Sequence, residues 1–496
     1  MKITFLNPPF LKRFSRSQRS PAVTKSGTLY FPMWLAYAAA LAENRGYQID
    51  FIDAPASSID LENSIDRIEK YLPELLVVET STPSIYNDVK VCERVKEVIP
   101  EVIILLVGTH VSALPEESLK LSGAINAVAV GEYDETIIEL AEAILKKRGL
   151  ETVKGICYRE GGKIQCNEKR GFIQDLDTIP FVSTIYKRFL KIEHYFNPNA
   201  LYPMVTITAS RGCPFGCTFC VYPQTLMGRK FRFRSIENVV NELEYIVENF
   251  PKAKAVFFED DTLTVHKQRC IQLSEEIIKR GIRINWTANA RVGLDLEVMK
   301  KMKAAGCRLL CVGFESGSQW ILDEMKKAVQ LDEMFTFIHN AKKAGLLIHG
   351  CFMVGFPGET KKTMEETLAL AKQLKPDTVQ FYPLMVYPGT EAYRWYQEKG
   401  LITVSDYSKW ITPEGLHNTV IKTENLSSED LVKFCDYARR SFYLAPRYLL
   451  YKTKQSVTNY DEFKRNLKSA KTFMKYLFFG SNIDKSHYKY TNREND

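Results

Sequence analysis

Strand-like and helix-like segments alternate along most of this 496-residue chain, in two series separated by residues 149–200. In the first series the apolar strands are Lys2–Leu6, Tyr47–Ile52, Leu75–Val78, Val102–Val107 and Ala127–Val130, with helical patterns at Trp34–Asn44, Tyr86–Val98 and Glu132–Lys146. Short buried-type strands spaced by helices pair in parallel, so residues 1–148 are expected to form a doubly wound α/β sheet. Ligands of such sheets lie beyond the carboxyl ends of the strands. Those ends carry Asn7-Pro8-Pro9, Asp53-Ala54-Pro55, Thr80-Ser81-Thr82-Pro83, Gly108-Thr109-His110 and Gly131-Glu132. No G-x-G-x-x-G follows the first strand, which argues against a generic dinucleotide site. Residues 149–200 read as a connector with a hairpin-like segment at Gly155–Cys166, where Cys157 and Cys166 are expected to be loop or core thiols.

The second series spans residues 201–400. Its strands are Met204–Ala209, Ala255–Glu259, Ile284–Ala288, Leu309–Phe314, Ile348–Val354 and Thr378–Leu384. Helices fall between them, as at Glu237–Asn249, Gln268–Arg280, Leu296–Ala305, Asp332–Ala344 and Lys362–Gln373. Cys213, Cys217 and Cys220 follow the first of these strands with the spacing C-x₃-C-x₂-C. Three thiolates so close together can hold three irons of a [4Fe–4S] cluster and leave the fourth open to a small molecule. The alternatives are a zinc knot and a chance grouping; zinc wants a fourth Cys or His close by, and His194 and His266 are far off in sequence.

The other strands of this series also end in polar or glycine residues. Glu259-Asp260-Asp261 needs a cation or donors to offset its repulsion, although an N-cap at Asp261 or Thr262 explains one carboxylate. Asn289 and Arg291 can hold a carboxylate, and Glu315 with Ser316 suits a ribose diol. Gly350, Phe352 and Val354 lie in a stretch whose glycines admit close backbone approach to a flat ring, and Tyr387 offers a second wall. Cys307 and Cys311 are expected to be core thiols, and Cys351 a hydrogen-atom donor near the mouth.

The cysteine spacing with Phe219 before the last Cys, followed by these strand ends in this order, resembles the radical SAM family. The resemblance implies a partial (β/α)6 TIM-like barrel whose open iron binds S-adenosylmethionine, and a cluster electron that releases a 5′-deoxyadenosyl radical. It implies a cofactor site of Phe219, Asp260, Asp261, Asn289, Arg291, Glu315, Ser316, Gly350, Phe352, Val354 and Tyr387. The stretch through Gly358-Glu359 resembles the family's adenine-contacting G-x-I-x-G-x-x-G-E element. The first series resembles the cobalamin-binding domain of one branch, through Asn7-Pro8-Pro9, Val107–His110 with Leu114-Pro115-Glu116-Glu117, and Gly131-Glu132. That implies cobalamin contacts at Asn7, Pro8, Thr80, Ser81, Gly108, His110, Gly131 and Glu132. The D-x-H-x-x-G signature is absent, so cobalamin would bind base-off without a His from that motif. The alternative is a domain that has lost the cofactor, with Gly108 and His110 shaping a loop.

Local segments sharpen the likeness. Tyr30–Ala36, Ile52–Pro55, Thr80–Ser84, Pro180–Val182, Tyr222–Thr225 and Phe258–Thr262 resemble the hopanoid-biosynthesis branch that forms bacteriohopanetetrol cyclitol ether. This implies a glycosylated membrane lipid as substrate, a ring contraction of its sugar headgroup to a cyclopentane polyol, and an electron donor such as ferredoxin or flavodoxin. The competing expectations are a cobalamin-dependent C-methyltransferase, a tRNA-modifying radical SAM enzyme, and a non-enzymatic cluster protein. Nucleic acid is not an expected partner, because no RNA-binding module is recognisable.

Residues 401–496 are expected to be helical. From Lys433 onward they hold 14 Lys/Arg against 6 Asp/Glu, with fourteen Phe and Tyr. Such a tail suits an anionic membrane surface, through Tyr443–Tyr451 and Phe473–Phe479 with Arg447, Lys471 and Lys475, or a helical cap over the barrel. Eleven cysteines and no leader segment predict a reducing cytoplasm, with peripheral contact at the inner membrane face. No apolar run is long enough to span a bilayer.

Overall fold

The computed structural model describes residues 1–458, 462–464 and 467. The first sheet has seven strands: β1 (Lys2–Asn7), β2 (Gln48–Asp53), β3 (Leu75–Thr80), β4 (Ile103–Gly108), β5 (Ala127–Ala129), β6 (Ile156–Glu160) and β7 (Lys163–Cys166). They run in the order β2-β1-β3-β4-β5-β6-β7. β1 to β5 are parallel, whereas β6 and β7 join antiparallel. The hairpin expected within the connector therefore belongs to this sheet. Cys157 and Cys166 stand directly opposite each other across it and are joined by a disulfide, which corrects their reading as separate thiols. The chain order places the topological switch between β1 and β3, where ligands of doubly wound sheets gather.

The second sheet is built from β8 (Met204–Ile207), β11 (Ala255–Phe258), β12 (Asn285–Ala290), β13 (Cys307–Glu315), β14 (Leu347–Val354) and β15 (Thr378–Pro383). All pairs are parallel, in the order β15-β14-β13-β12-β11-β8. A two-stranded ribbon, β9 (Ser210–Arg211) with β10 (Arg232–Phe233), sits between β8 and β11 in the chain. Helices between successive strands cover the outer face, giving six β/α units of an incomplete barrel. β8 and β11 are buried along their whole length, as strands packed on both faces must be.

Helix Ser428–Tyr443 covers the edge strand β15, and helix Pro446–Thr458 follows it. Its capping box, Ser427 with Asp430, satisfies the first turn. Tyr443 and Tyr448 tie the pair to the sheet through the Val379 and Asp377 carbonyls. Of the basic aromatic tail, Phe473–Phe479, Lys471 and Lys475 lie outside the described residues. No described helix is long and apolar enough to cross a membrane.

A buried ion network fastens the two sheets together. Arg211 on β9 reaches Glu132 at 2.7 Å and Asp134 at 2.8 Å, and Arg232 on β10 reaches Glu132 at 2.8 Å. The Arg211 guanidinium also lies over the rings of Trp34 and Tyr37.

Candidate active site

The cysteine loop leaves β9 through Gly212, whose φ of +84° and closeness to the Lys230 carbonyl exclude a side chain. Gln224 holds the loop shut, donating to the Thr218 carbonyl at 3.1 Å and the Cys220 carbonyl at 2.9 Å while accepting from the Glu391 amide. Thr218 is anchored on its other side by the Met325 carbonyl. Cys213, Cys217 and Cys220 all face one cavity of about 1290 Å³. Burial pushes the Cys213 and Cys220 thiols upward, and Asp261 adds to both shifts. Thiols so placed become thiolates only beside a strong cation, which iron supplies. The loop fits a cluster.

The carboxylates after β11 separate into distinct roles. Asp260 is fully buried and turned inward, bonded to the Ala209 amide and the Ser210 hydroxyl, and burial raises it to about 6. It anchors the strand end, contrary to its expected place against the cofactor. Glu259 and Asp261 face the cavity, and Glu259 Oε2 and both oxygens of Asp261 are buried without a hydrogen bond of ordinary geometry. Their cation is Arg19, in the segment after β1, 2.6 Å from Glu259 and 3.6 Å from Asp261. Nothing periodic marks residues 10–30, and sequence reasoning passed Arg19 over.

Asn289 lines the cavity and donates to the Asp260 carbonyl. Arg291 lines it too, 3.9 Å above the Phe215 ring and bonded to the Ala328 carbonyl. Glu315 is paired with Lys327 at 2.9 Å, with Oε2 left unpartnered. Phe219 packs edge-on against Phe356 beside the cysteines, and Tyr387 also lines the cavity. Ser316 is different: it is fully buried, contacts Thr367, and accepts from the Ser318 amide. It therefore does not meet a ribose with Glu315.

On β14 the cavity is lined by His349, Cys351 and Met353. Phe352 is instead stacked between Phe314 and Phe381, Val354 is fully buried, and Gly350 abuts the Phe314 and Phe352 rings. Side chains alternate along a strand, so the sequence-based choice of Gly350, Phe352 and Val354 picked the face toward the helices. Cys311 faces the cavity from β13, whereas Cys307 is core, as both were expected to be.

The residues named for cobalamin are engaged within the protein. Asn7 donates to Asp53 and accepts from Arg16, and the Pro8 carbonyl also accepts from Arg16. Thr80 donates to the Val107 carbonyl, and Ser81 contacts Ser84. Gly108, at φ +125°, crowds the Thr80 carbonyl, and the Gly131 amide bonds Ser112. His110 meets Thr82 at 3.2 Å and the Tyr407 ring edge-on, and burial lowers it to about 3, which keeps it neutral. Glu132 is the centre of the ion network, which corrects its placement at a ligand. Open polar atoms lie instead at the seam between the sheets. Trp34 Nε1, Glu79 Oε2 and Tyr222 OH are buried without a hydrogen-bond partner of ordinary geometry, and Glu79 is raised to about 7 by burial. Trp34 and Tyr222 lie within reach of each other, and none of the three lines the cavity.

A cysteine loop and open carboxylates at the mouth of a parallel barrel define a cluster-dependent barrel enzyme, and the first sheet adds a second cofactor domain. Residues 207–371 match the radical SAM superfamily and residues 19–141 the B12 binding domain. The chain belongs to the radical SAM superfamily and carries a B12 binding domain. It is 32% identical over 451 residues to an uncharacterized methyltransferase of Pyrococcus horikoshii, covering 91% of this chain and 94% of that one. It is 26% identical to the anaerobic magnesium-protoporphyrin IX monomethyl ester cyclase of Rubrivivax gelatinosus, over 85% of this chain and 75% of that one. To the hopanoid C-3 methylase of Methylococcus capsulatus it is 23% identical, over 76% and 70%. Among solved structures, the cobalamin-dependent S-adenosylmethionine radical enzyme OxsB with aqua-cobalamin and S-adenosylmethionine bound shares the fold. The TM-score is 0.69 at 16% identity, over 99% of this chain and 74% of that one.

Proposed function

We propose that this chain is a cobalamin-dependent radical SAM methyltransferase that alkylates a carbon of a substrate with a long hydrocarbon part. One observation carries the reading: the cavity that begins at the three cysteines continues between helices Ser428–Tyr443 and Pro446–Thr458, past Val432, Tyr448, Leu449 and Val457. Leu449, Leu450 and Val457 are strongly exposed at its outer end, and Arg447, Lys452 and Lys454 share that helix with no acidic residue. An apolar channel opening on a basic, apolar face suits a lipid drawn from an anionic surface.

With the cluster, S-adenosylmethionine supplies hydrogen-atom abstraction, and cobalamin supplies methyl transfer. Cys213, Cys217 and Cys220 would hold the cluster, and the open oxygens of Glu259 and Asp261 would accept from the ammonium of S-adenosylmethionine. Glu315 and Asn289 offer acceptors and donors for its remaining polar edge. Phe219, Phe215 and Met353 keep water from the reacting carbon. The methyltransferase reading draws on the relatives in Pyrococcus and Methylococcus.

The ring contraction of a sugar headgroup, inferred from local sequence likeness, is a second reading. Cys351 favours it: its thiol faces the cavity within reach of Tyr382, and a rearranged carbon needs a returning hydrogen atom whereas a methylated one does not. The test is anaerobic turnover with a membrane lipid extract. Methylation yields S-adenosylhomocysteine together with 5′-deoxyadenosine and a lipid heavier by one methyl. A cyclopentyl headgroup without S-adenosylhomocysteine would replace this reading with the second.

A further inference from the structure

Residues Arg16–Ser20 form a strap between the two sheets, and its polar side chains are fixed to different walls. Arg16 is paired with Asp88 at 2.6 Å, both side chains wholly buried, and donates to Asn7 and the Pro8 carbonyl at the end of β1. Ser17 bonds Glu79 on β3. Arg19 crosses to the barrel, where it donates to Glu259 Oε1 at 2.6 Å and to the Asp260 carbonyl at 2.9 Å. Ser20 meets the Tyr387 hydroxyl at 2.9 Å and His417 Nε2 at 2.7 Å.

The charge at the mouth can be counted. Asp260 is already satisfied by Ala209 and Ser210. Glu259 and Asp261 bring two carboxylates and Arg19 one positive charge, bridging both, so one carboxylate's worth of negative charge stays open toward the cavity. A primary ammonium carries one positive charge and only donors, so it suits that remainder. Without Arg19, two buried carboxylates two residues apart repel each other, and one must take a proton or turn away. The paired-carboxylate arrangement is then lost.

We infer that Arg19 is a positioning residue: reaching from the strap on the first sheet, it holds Glu259 and Asp261 in the arrangement that receives the cationic amino end of S-adenosylmethionine. The inference rests on the reading that this cofactor binds beside the cysteine loop, and the experiment separates the two.

Reduced, cluster-loaded protein is titrated with S-adenosylmethionine without lipid, and the electron paramagnetic resonance signal of the cluster is followed. Wild type, Arg19→Gln and Arg19→Lys are compared, with iron and sulfide counted in each. The expected result is full cluster content, a cofactor-dependent change in the wild-type signal, and a Gln-variant midpoint raised about ten- to a hundredfold, as loss of charge-assisted hydrogen bonds gives. The Lys variant recovers part of that shift. A wild-type signal indifferent to the cofactor overturns the underlying reading. A responsive wild type with an unchanged Gln-variant midpoint overturns the inference alone, and a lowered midpoint overturns it by making Arg19 a competitor of the ammonium. Where the Gln variant fails to load its cluster, the Lys variant decides: a raised midpoint supports the inference and an unchanged one overturns it.

Discussion

Glu132 accepts from Arg211, from Arg232 and from the Ile173 amide, with its side chain almost wholly buried. Removing one partner of such a network leaves charges buried without compensation. Glu132→Ala is therefore expected to destabilise the chain by about 3–5 kcal/mol, read from the urea midpoint; an unchanged midpoint would contradict the clamp. His110 gives a pH effect of known sign. Burial lowers it to about 3, against about 6.5 in an unfolded chain. Between those values the unfolded chain binds more protons, so the contribution of His110 is full above pH 6.5 and lost as pH falls toward 3. His110→Gln is expected to flatten the acid fall of the melting temperature over that window, and a curve parallel to wild type would refute the assignment. Of the single residues, the three cysteines were legible because their spacing is itself the chemistry. Arg19 was not, because its partners are about 240 residues away in the chain and only the packed fold brings them together.

Strands and helices were largely legible, because apolar runs bounded by Gly, Pro, Asn and Asp mark both sheets. The facing of a strand was not. β14 reads His-Gly-Cys-Phe-Met-Val over 349–354, with apolar residues on both sides, since one side packs on helices and the other on the barrel interior. Alternation cannot set the phase where both faces are covered. The structure sets it, and a pair of substitutions checks it. Phe352→Ala is expected to lower stability by about 3–5 kcal/mol, as loss of a buried aromatic does, while the reconstituted cluster is retained. Met353→Ala is expected to leave the melting temperature closer to wild type and, on the proposed function, to weaken binding of a hydrocarbon substrate. The reverse pattern, measured by thermal melts and substrate titration, would exchange the two faces. The edge hairpin of β6 and β7 was legible as a hairpin but not as part of the first sheet, since pairing partners are set by packing and not by local pattern.

At the scale of the whole molecule, a B12 binding domain and a radical SAM barrel meet along a seam. The strap of residues 16–20 and the Glu132 network cross it, and the C-terminal helices extend the barrel cavity outward. Domain order was legible from the two alternating series; the seam was not, because it is made of loops from both halves. The account requires one chain to hold two metal centres independently, one at the cysteine loop and one in the B12 binding domain. The most direct measurement is the iron and cobalt content of anaerobically reconstituted wild type and of the Cys213→Ala, Cys217→Ala, Cys220→Ala triple variant. The expected result is about four irons and one cobalt per wild-type chain, with iron lost and cobalt kept in the variant. Iron retained in the variant, or cobalt absent from the wild type, would contradict it.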